Sequence, residues 1–600
     1  MILMERRRPP LSVDLLQRVG LVWLLVSAFL VAVRWPDIAA MRLTDSDDNL
    51  RLVQLRDLLA GQSWFDLHQY RISPPDGVLM HWSRLVDLPL LLVYAVLAPL
   101  LGGHAAEQAA VVIVPLLTLG AALLLVGRLA WRMVGEDAVF YACGALVLSL
   151  GALVQLQPLR IDHHGWQIVC LLAALNGLAA RDERTGGRVA GVAMGLGMTI
   201  SLELLPLAAL IGGVAALRWL RDPKAPALCL SYVRALAVSA AIAFLATRGL
   251  ADLAGHCDTL SVPYLAGLVV IAAGLSLLAL AGNLPAPARA LGLAGAAAAG
   301  LGVVLAIAPQ CSRGPFVMLD PLVQQYWYAN VGEGMPAWRQ DGRTLLRLLV
   351  PSLAGLWAVW QLWQASAGWL RRFWGEYLLL VLGGIALALL VSRSAAFAAA
   401  LVAVPLSWLL YNWRRRALNA RKRGEKAALA TMALVILLPD APLGVARIAS
   451  PARASSGPAV QEVCDVPAAA TALRRLPAST IFAPIDSGPL LLVHTPHSVV
   501  ATAHHRAAQG LHDTIAAFLA APSQAEAIVR KRGARYVLIC PGLVEAGIYR
   551  RAAPGGFMAR LVAGQTPGWL RPMPLPRESG ALLWEVLPPG GLAGAGPVRP

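Results

Sequence analysis

Apolar residues in this chain gather into runs close to the thickness of a bilayer, not into the alternating or every-third-and-fourth patterns of soluble strands and helices. VGLVWLLVSAFLVAV, AAVVIVPLLTLGAALLLVG and YLLLVLGGIALALLV each approach the roughly 20 residues that cross a hydrocarbon core. Such runs predict spans near 19–35, 107–127, 137–156, 165–180, 189–203, 204–217, 231–249, 263–282, 287–308, 344–364, 375–392, 395–411 and 427–440. That is about 13 transmembrane helices on the length criterion. The first run is not read as a cleavable signal, because further spans follow it for hundreds of residues. LPLLLVYAVLAPLL, at 88–101, is short for a span and predicts an interfacial or re-entrant segment.

The polar segments sort by charge. Arg128 and Arg132, Arg181 with Arg184 and Arg188, Arg218 with Arg221 and Lys224, Arg289, Arg371 with Arg372, and the run NWRRRALNARKRGEK share one side if the basic N-terminus MILMERRRPP is cytosolic. The opposite side then holds a long first loop, 36–106, the short loop PLRIDHH, the loop 309–343 and the tail. The chain therefore divides into a transmembrane domain, 1–444, and an extracytoplasmic domain, 445–600. The tail opens on an Ala-, Pro- and Ser-rich linker. It then mixes strand-like runs (STIFAPI, SVVAT, ARYVLIC, ALLWEV) with helix-like ones (DTIAAFLA, SQAEAIVRKRG), the pattern of a small α/β domain. No internal repeat is visible.

Composition supports this reading. Of the 600 residues, 58% are hydrophobic and only 14% charged, too few to cover a soluble surface. The net charge of +17 would suggest nucleic acid in a soluble protein; here its concentration in short loops follows the positive-inside rule, and no nucleic-acid partner is expected. The seven cysteines lack zinc-finger spacing. Cys143, Cys170 and Cys229 fall in or beside spans; Cys257, Cys311, Cys464 and Cys540 fall in outer segments where disulfides form, with Cys464–Cys540 the preferred pair.

Three outer loops bring acids to the membrane surface: TDSDDNLRL with Asp45, Asp47 and Asp48, RIDHHGW with Asp162, His163 and His164, and YANVGEGMP with Glu333. Carboxylates with an occasional imidazole are ligands for Mg²⁺ or Mn²⁺, although any one of these acids taken alone reads as an ordinary loop residue. Arg393, in VSRSAAF between two spans, is costly beside lipid unless it meets an anion or snorkels to the interface. A lipid phosphate would serve as that anion. Glu203, in SLELLP, is open to either a helix-packing or a site role.

These motifs resemble those of the catalytic subunit of oligosaccharyltransferase, in its bacterial and archaeal single-subunit form, and more broadly the C-type (GT-C) membrane glycosyltransferases. DSDDNLRLVQLRDLLAG resembles the family's first outer loop, with Asp47 matching its metal-binding Asp and Asp48 close behind. SPPDGVLMHWSRLVDLPL resembles the family's Pro–Gly–His–Trp stretch and contributes His81. RIDHH stands at the family's DxD, with Asp162 as the first acid and His164 in place of the second. ANVGEG resembles the motif whose Glu completes the metal site, here Glu333. SRSAAFAAALVAVP resembles the stretch whose Arg contacts the donor diphosphate, here Arg393. The family's WWDYG motif is degenerate: FAPIDSGPLLL keeps Asp486 and Gly488 but neither Trp, and HTPHSVVATAHHR follows with His504, His505 and Arg506 where the family varies.

The resemblance implies an α-helical polytopic GT-C-like membrane protein with a C-terminal α/β domain, in a prokaryotic cytoplasmic (inner) membrane. It implies transfer of a sugar or oligosaccharide, with inversion, from a polyprenyl phosphate or diphosphate to an acceptor glycan, lipid or protein. Asp47, Asp162 and Glu333 are the expected catalytic and metal residues, with His164 as a further ligand and Arg393 on the donor phosphate. Asp48, His81, Asp486, His504 and Arg506 are assigned to the acceptor side. Loss of the Trp pair favours a lipid or polysaccharide hydroxyl over a protein Asn. A lipid-linked glycan transporter is a third reading; transporters place ionisable groups at the midplane of repeated halves, which this sequence lacks.

Overall fold

The computed structural model describes residues 11–441 and 464–589, which form two compact units. The first draws on Met1–Leu43, Trp82–Pro315 and Gly332–Pro451; the second on Thr44–His81, Phe316–Val331 and Ala452–Pro600. The linker at the start of the tail lies outside the described residues.

The first unit is helical. Among the described residues, 10 helices are long and apolar enough to cross a membrane: Val13–Ala39, Arg84–Leu101, Gly103–Met133, Leu202–Arg221, Ala227–Thr247, Val262–Leu280, Ala286–Ile307, Gly342–Ala365, Gly368–Leu390 and Ser392–Asn419. The chain is a multi-pass α-helical membrane protein. Two expectations change. The 88–101 stretch is part of a longer helix: a 3₁₀ turn, Arg84–Val86, precedes it, nucleated by the Ser83 hydroxyl accepting the Leu85 N–H at 3.3 Å, and the 18 residues together are long and apolar enough to cross a membrane. The runs at 137–156, 165–180, 189–203 and 427–440 do form helices, but short or charged ones. Ala138–Leu148 has 11 residues, His164–Leu178 and Arg423–Leu437 have 15 each, and Glu183–Ile200 carries Glu183, Arg184 and Arg188.

Packing in this unit uses small residues. Gly187, Gly191 and Gly195 line one face of Glu183–Ile200, where it lies on Ala227–Thr247; a Cβ on Gly191 would stand 2.4 Å from the Tyr232 carbonyl oxygen. Close backbone approach of this kind is how helices associate where lipid supplies no hydrophobic drive. Arg218 and Glu376 form a buried bidentate pair, with Nε to Oε1 at 2.8 Å and Nη2 to Oε2 at 2.6 Å, each satisfying the other's charge between two spans. A disulfide joins Cys257 to Cys311.

The second unit is α/β. A sheet of β3 (Thr480–Phe482), β4 (Ser498–Val499), β5 (Ala534–Ile539), β6 (Leu570–Met573) and β7 (Leu582–Val586) runs in the order β4-β3-β5-β7-β6, after a small hairpin of β1 (His68–Gln69) and β2 (Val78–Leu79). Strands β3, β4 and β5 are parallel; β7 is antiparallel to both β5 and β6. All four strand-like runs of the tail are strands. Strand β6 was not foreseen: Pro572 disqualifies LRPM as an interior strand, and it lies at the sheet edge, where a missing N–H is tolerated. The first loop is woven into this sheet. Ile72 bridges Val499, with Ser73 N–H to Val499 O and Val499 N–H to Arg71 O both at 2.8 Å. Arg71 also donates to the carbonyls of Leu492 (2.6 Å) and Thr495 (2.9 Å), meeting the C-terminal end of the helix Gly488–His494. The expected Cys464–Cys540 disulfide is present.

Candidate functional site

In the first unit the RIDHHGW segment turns into the helix His164–Leu178. Leu159, buried with φ +70°, holds a conformation costly for a branched side chain. Its N–H donates to Val111 O at 2.9 Å, which fixes the turn. Asp162 then performs two tasks. Its Oδ1 accepts the His164 N–H at 3.0 Å, an Asx turn that leads into the helix, and its Oδ2 pairs with Arg160 Nη2 at 2.8 Å.

His164 Nε2 lies 3.8 Å from Asp162 Oδ2, and its Nδ1 lies 3.0 Å from Gln167 Oε1. The network assigns the proton. Gln167 Nε2 donates to Glu203 Oε2 at 3.2 Å, because an ionised carboxylate only accepts; Gln167 Oε1 must then face His164, whose Nδ1 carries the hydrogen. His164 Nε2 is buried, without a hydrogen-bond partner, and faces a carboxylate oxygen. In the neutral imidazole Nε2 carries a lone pair, and a cation bound there would be shared with the Asp162 carboxylate, which Arg160 already pairs. The His163 ring lies tilted against His164, centroids 4.2 Å apart, and ligand atoms of His163, His164 and Glu203 lie within 4.8 Å of one another.

Glu203 continues the chain of contacts. Its Oε1 accepts from Arg393 Nη1 at 2.7 Å, and the same Nη1 lies 3.7 Å from Glu333 Oε1. Glu333 sits in a 3₁₀ turn, Gly332–Gly334, tied to the Arg393 turn by Ser392, whose N–H and hydroxyl both donate to Met335 O (3.0 and 2.7 Å). Three carboxylates and two guanidiniums thus line one path; an added dication leaves it net positive, suited to a phosphate. Of the expected residues, Asp162, His164, Glu333 and Arg393 are connected here. Glu203, open to either role from sequence, is the link between Arg393 and His164. His163 was visible in the motif but not assigned as a ligand.

The remaining expected residues lie in the second unit. Asp47 is on the first turn of the helix Ser46–Leu59, half-buried. Asp45 caps that helix, accepting from Asp47 N–H (2.9 Å) and Asp48 N–H (3.1 Å), and Asp48 returns a contact to Asp45 N–H (3.3 Å). His81 Nδ1 and His504 Nε2 are 2.8 Å apart, and Arg506 donates to Leu79 O at 3.3 Å. Asp486 and Ile485 give their N–H groups to Glu545 (3.0 and 2.9 Å), which also accepts from Tyr549 OH at 2.7 Å. Burial, with Asp486 nearby, pushes the Glu545 carboxyl up to about 7, and burial raises Asp486 as well. Glu545 was not anticipated, since VEAGIYRRA reads as a surface helix.

The backbone aligns with solved oligosaccharyltransferases. Archaeal oligosaccharyltransferase AglB from Archaeoglobus fulgidus, in complex with an inhibitory peptide and a dolichol-phosphate, matches with a TM-score of 0.66 at 17% identity, over 93% of this chain and 72% of that one. This is the oligosaccharyltransferase fold. An Archaeoglobus fulgidus oligosaccharyltransferase tethered to an acceptor peptide containing the NVT sequon gives 0.62 at 15%, over 92% of this chain and 72% of that one. One in complex with zinc and sulfate gives 0.58 at 15%, over 90% and 70%. No family model matches the chain, and no curated protein matches it. The chain thus shares the fold of these solved oligosaccharyltransferases.

Proposed function

We propose that this protein transfers a sugar or oligosaccharide from a polyprenyl phosphate or diphosphate to an acceptor at the outer face of the membrane. The observation that carries the reading is the opposed pair of His164 Nε2 and Asp162 Oδ2, joined through Gln167 and Glu203 to Arg393. The donor set fits a divalent metal: Asp162 and His164 would hold it, with His163 and Glu203 within reach, and the mixed nitrogen and oxygen character suits Mn²⁺ or Zn²⁺ better than Mg²⁺. When bound, the metal supplies positive charge opposite the departing phosphate.

The protein's own groups do the rest. Arg393 binds a phosphate oxygen through its guanidinium, which Glu203 orients. Gln167 fixes the His164 tautomer so that Nε2 stays a ligand. Glu333 borders the same guanidinium at the more exposed end of the path. The solved oligosaccharyltransferases that carry dolichol-phosphate, or zinc and sulfate, support the same classes of ligand here. A lipid or polysaccharide hydroxyl is the favoured acceptor, because FAPIDSG lacks the Trp pair associated with peptide binding.

Glycan profiling of a deletion strain identifies the conjugate that disappears; modified proteins rather than lipid or polysaccharide would move the acceptor to Asn. Transfer is then measured in vesicles stripped of metal and resupplied with Mn²⁺. His164→Ala, Arg393→Ala and Asp47→Ala proteins, inserted normally, should each lose at least about 100-fold in rate, the scale of losing a charge-stabilising group. Full transfer by the His164→Ala and Arg393→Ala proteins would refute the donor site. Full transfer by Asp47→Ala would remove only the first-loop acid from it.

A further inference from the structure

Charged side chains in a membrane span face the bundle interior or pair with one another, because hydrocarbon solvates them poorly. Arg234, in the helix Ala227–Thr247 of the first unit, departs from both habits. It is exposed, and Val238, Ile242 and Leu245, at helical spacing on the same face, are each more than half exposed. An apolar stripe of this kind on a spanning helix is a surface for lipid.

Arg234 has no carboxylate partner among the described residues. It meets Ser276 on the neighbouring helix Val262–Leu280, where Nε and Nη2 both donate to the hydroxyl oxygen, at 3.1 and 3.0 Å. The Ser276 hydroxyl gives its own hydrogen to Ala272 O at 2.6 Å, so its lone pairs face the guanidinium. Two of the five guanidinium N–H groups are used in this way, and three remain.

The double contact also fixes the depth of the charge. Ser276 lies four residues before the end of its helix at Leu280, about 6 Å at the rise of an α-helix. The guanidinium is thus docked sideways on a neighbour and not extended along its own helix toward water. Leu277 and Leu280, beside Ser276, are more than half exposed as well. This end carries basic residues in the preceding loop: Arg218, Arg221 and Lys224 come before Ala227.

We propose that Arg234 and Ser276 form a binding site for the phosphate of a membrane lipid, at the basic-loop ends of Ala227–Thr247 and Val262–Leu280. A cation beside hydrocarbon with no carboxylate needs an anion from the membrane, and a lipid phosphate is the anion a bilayer offers near its surface. The remaining N–H groups form a planar fork that matches two phosphate oxygens. Basic positions between helices on the side of the positive loops take lipid head groups in this manner. The lipid chains would lie on Val238, Ile242 and Leu245. The site does not rest on the donor reading. Arg393 stands at the start of Ser392–Asn419, and Arg414, Arg415 and Arg416 mark the basic end of that helix.

Native mass spectrometry of the delipidated full-length protein in detergent tests this, with phosphatidylglycerol in one arm and a polyprenyl monophosphate in the other. All proteins carry Arg393→Ala, which removes the donor-site guanidinium from the count. A single lipid per chain should be retained, and the arm that retains it names the source of the phosphate. Arg234→Leu should weaken retention about 10–100-fold, the scale of losing a charged hydrogen-bond partner. Melting checks folding, and Arg234→Gln serves if the leucine protein does not fold. Arg221→Leu, in the adjoining loop, controls for general charge. No retained lipid in either arm, unchanged retention in the folded Arg234 variants, or an equal loss in Arg221→Leu would each overturn the proposal.

Discussion

Residues in the proposed donor site act through the protonation and direction of their neighbours. Gln167 touches no charge-bearing ligand atom at shorter range than the carboxylate of Glu203, yet it decides which His164 nitrogen bears the hydrogen. Gln167→Leu should therefore weaken Mn²⁺ activation by about 10–100-fold, the usual effect of removing an outer partner, while leaving transfer at saturating Mn²⁺ closer to normal. A Mn²⁺ titration of initial rates checks this. Glu545 gives a pH prediction. Its folded carboxyl is raised from 4.5 to about 7, so between those values the unfolded chain releases a proton that the folded protein keeps. Stability should fall as pH rises through that window and level off above it, by on the order of 3 kcal/mol for a shift of this size. Melting of Glu545→Gln, which mimics the protonated acid, should be nearly flat across the same window.

Single elements owe their placement to a few positions. The Gly187–Gly191–Gly195 line sets the spacing of Glu183–Ile200 against Ala227–Thr247. Gly191→Leu forces the helices apart and should cost on the order of 3 kcal/mol. Gly213→Leu, where a side chain would meet nothing within 4 Å, should be near neutral. Thermal melting of the two proteins side by side separates the outcomes. The same elements show how far the sequence was legible. Apolar runs gave the helices, because a span needs only length and composition. They did not show that Arg84–Val86 extends the 88–101 helix, since a 3₁₀ turn depends on one serine hydroxyl and leaves no periodic trace. The strands of the tail followed from short strand-like runs set between helix-like ones, whereas β6 was hidden by its proline.

The whole molecule is a membrane protein whose described residues hold two disulfides and three free cysteines. Disulfides form in an oxidising compartment, and all four bonded residues lie on the outer side if the basic loops face the cytosol. After mild reduction of intact cells, an impermeant maleimide should label Cys257, Cys311, Cys464 and Cys540, and not Cys143, Cys170 or Cys229, which are buried in helices. No labelling of the four disulfide cysteines in intact cells, with labelling after lysis, would reverse the topology.

The sequence by itself determined the solvent of the fold, the helical character of the first unit, the strands at the heart of the second and the short motifs bearing Asp162, Glu333 and Arg393. Each is a local property, set by composition, period or a few adjacent side chains. Only the tertiary structure decided that Glu203 holds Arg393 from 190 positions away, that Gln167 reaches Glu203, that Glu545 accepts from the Asp486 N–H, and that His81 meets His504. Hydrogen bonds between residues so far apart in sequence depend on which helices and strands become neighbours, and one chain read alone carries no record of that.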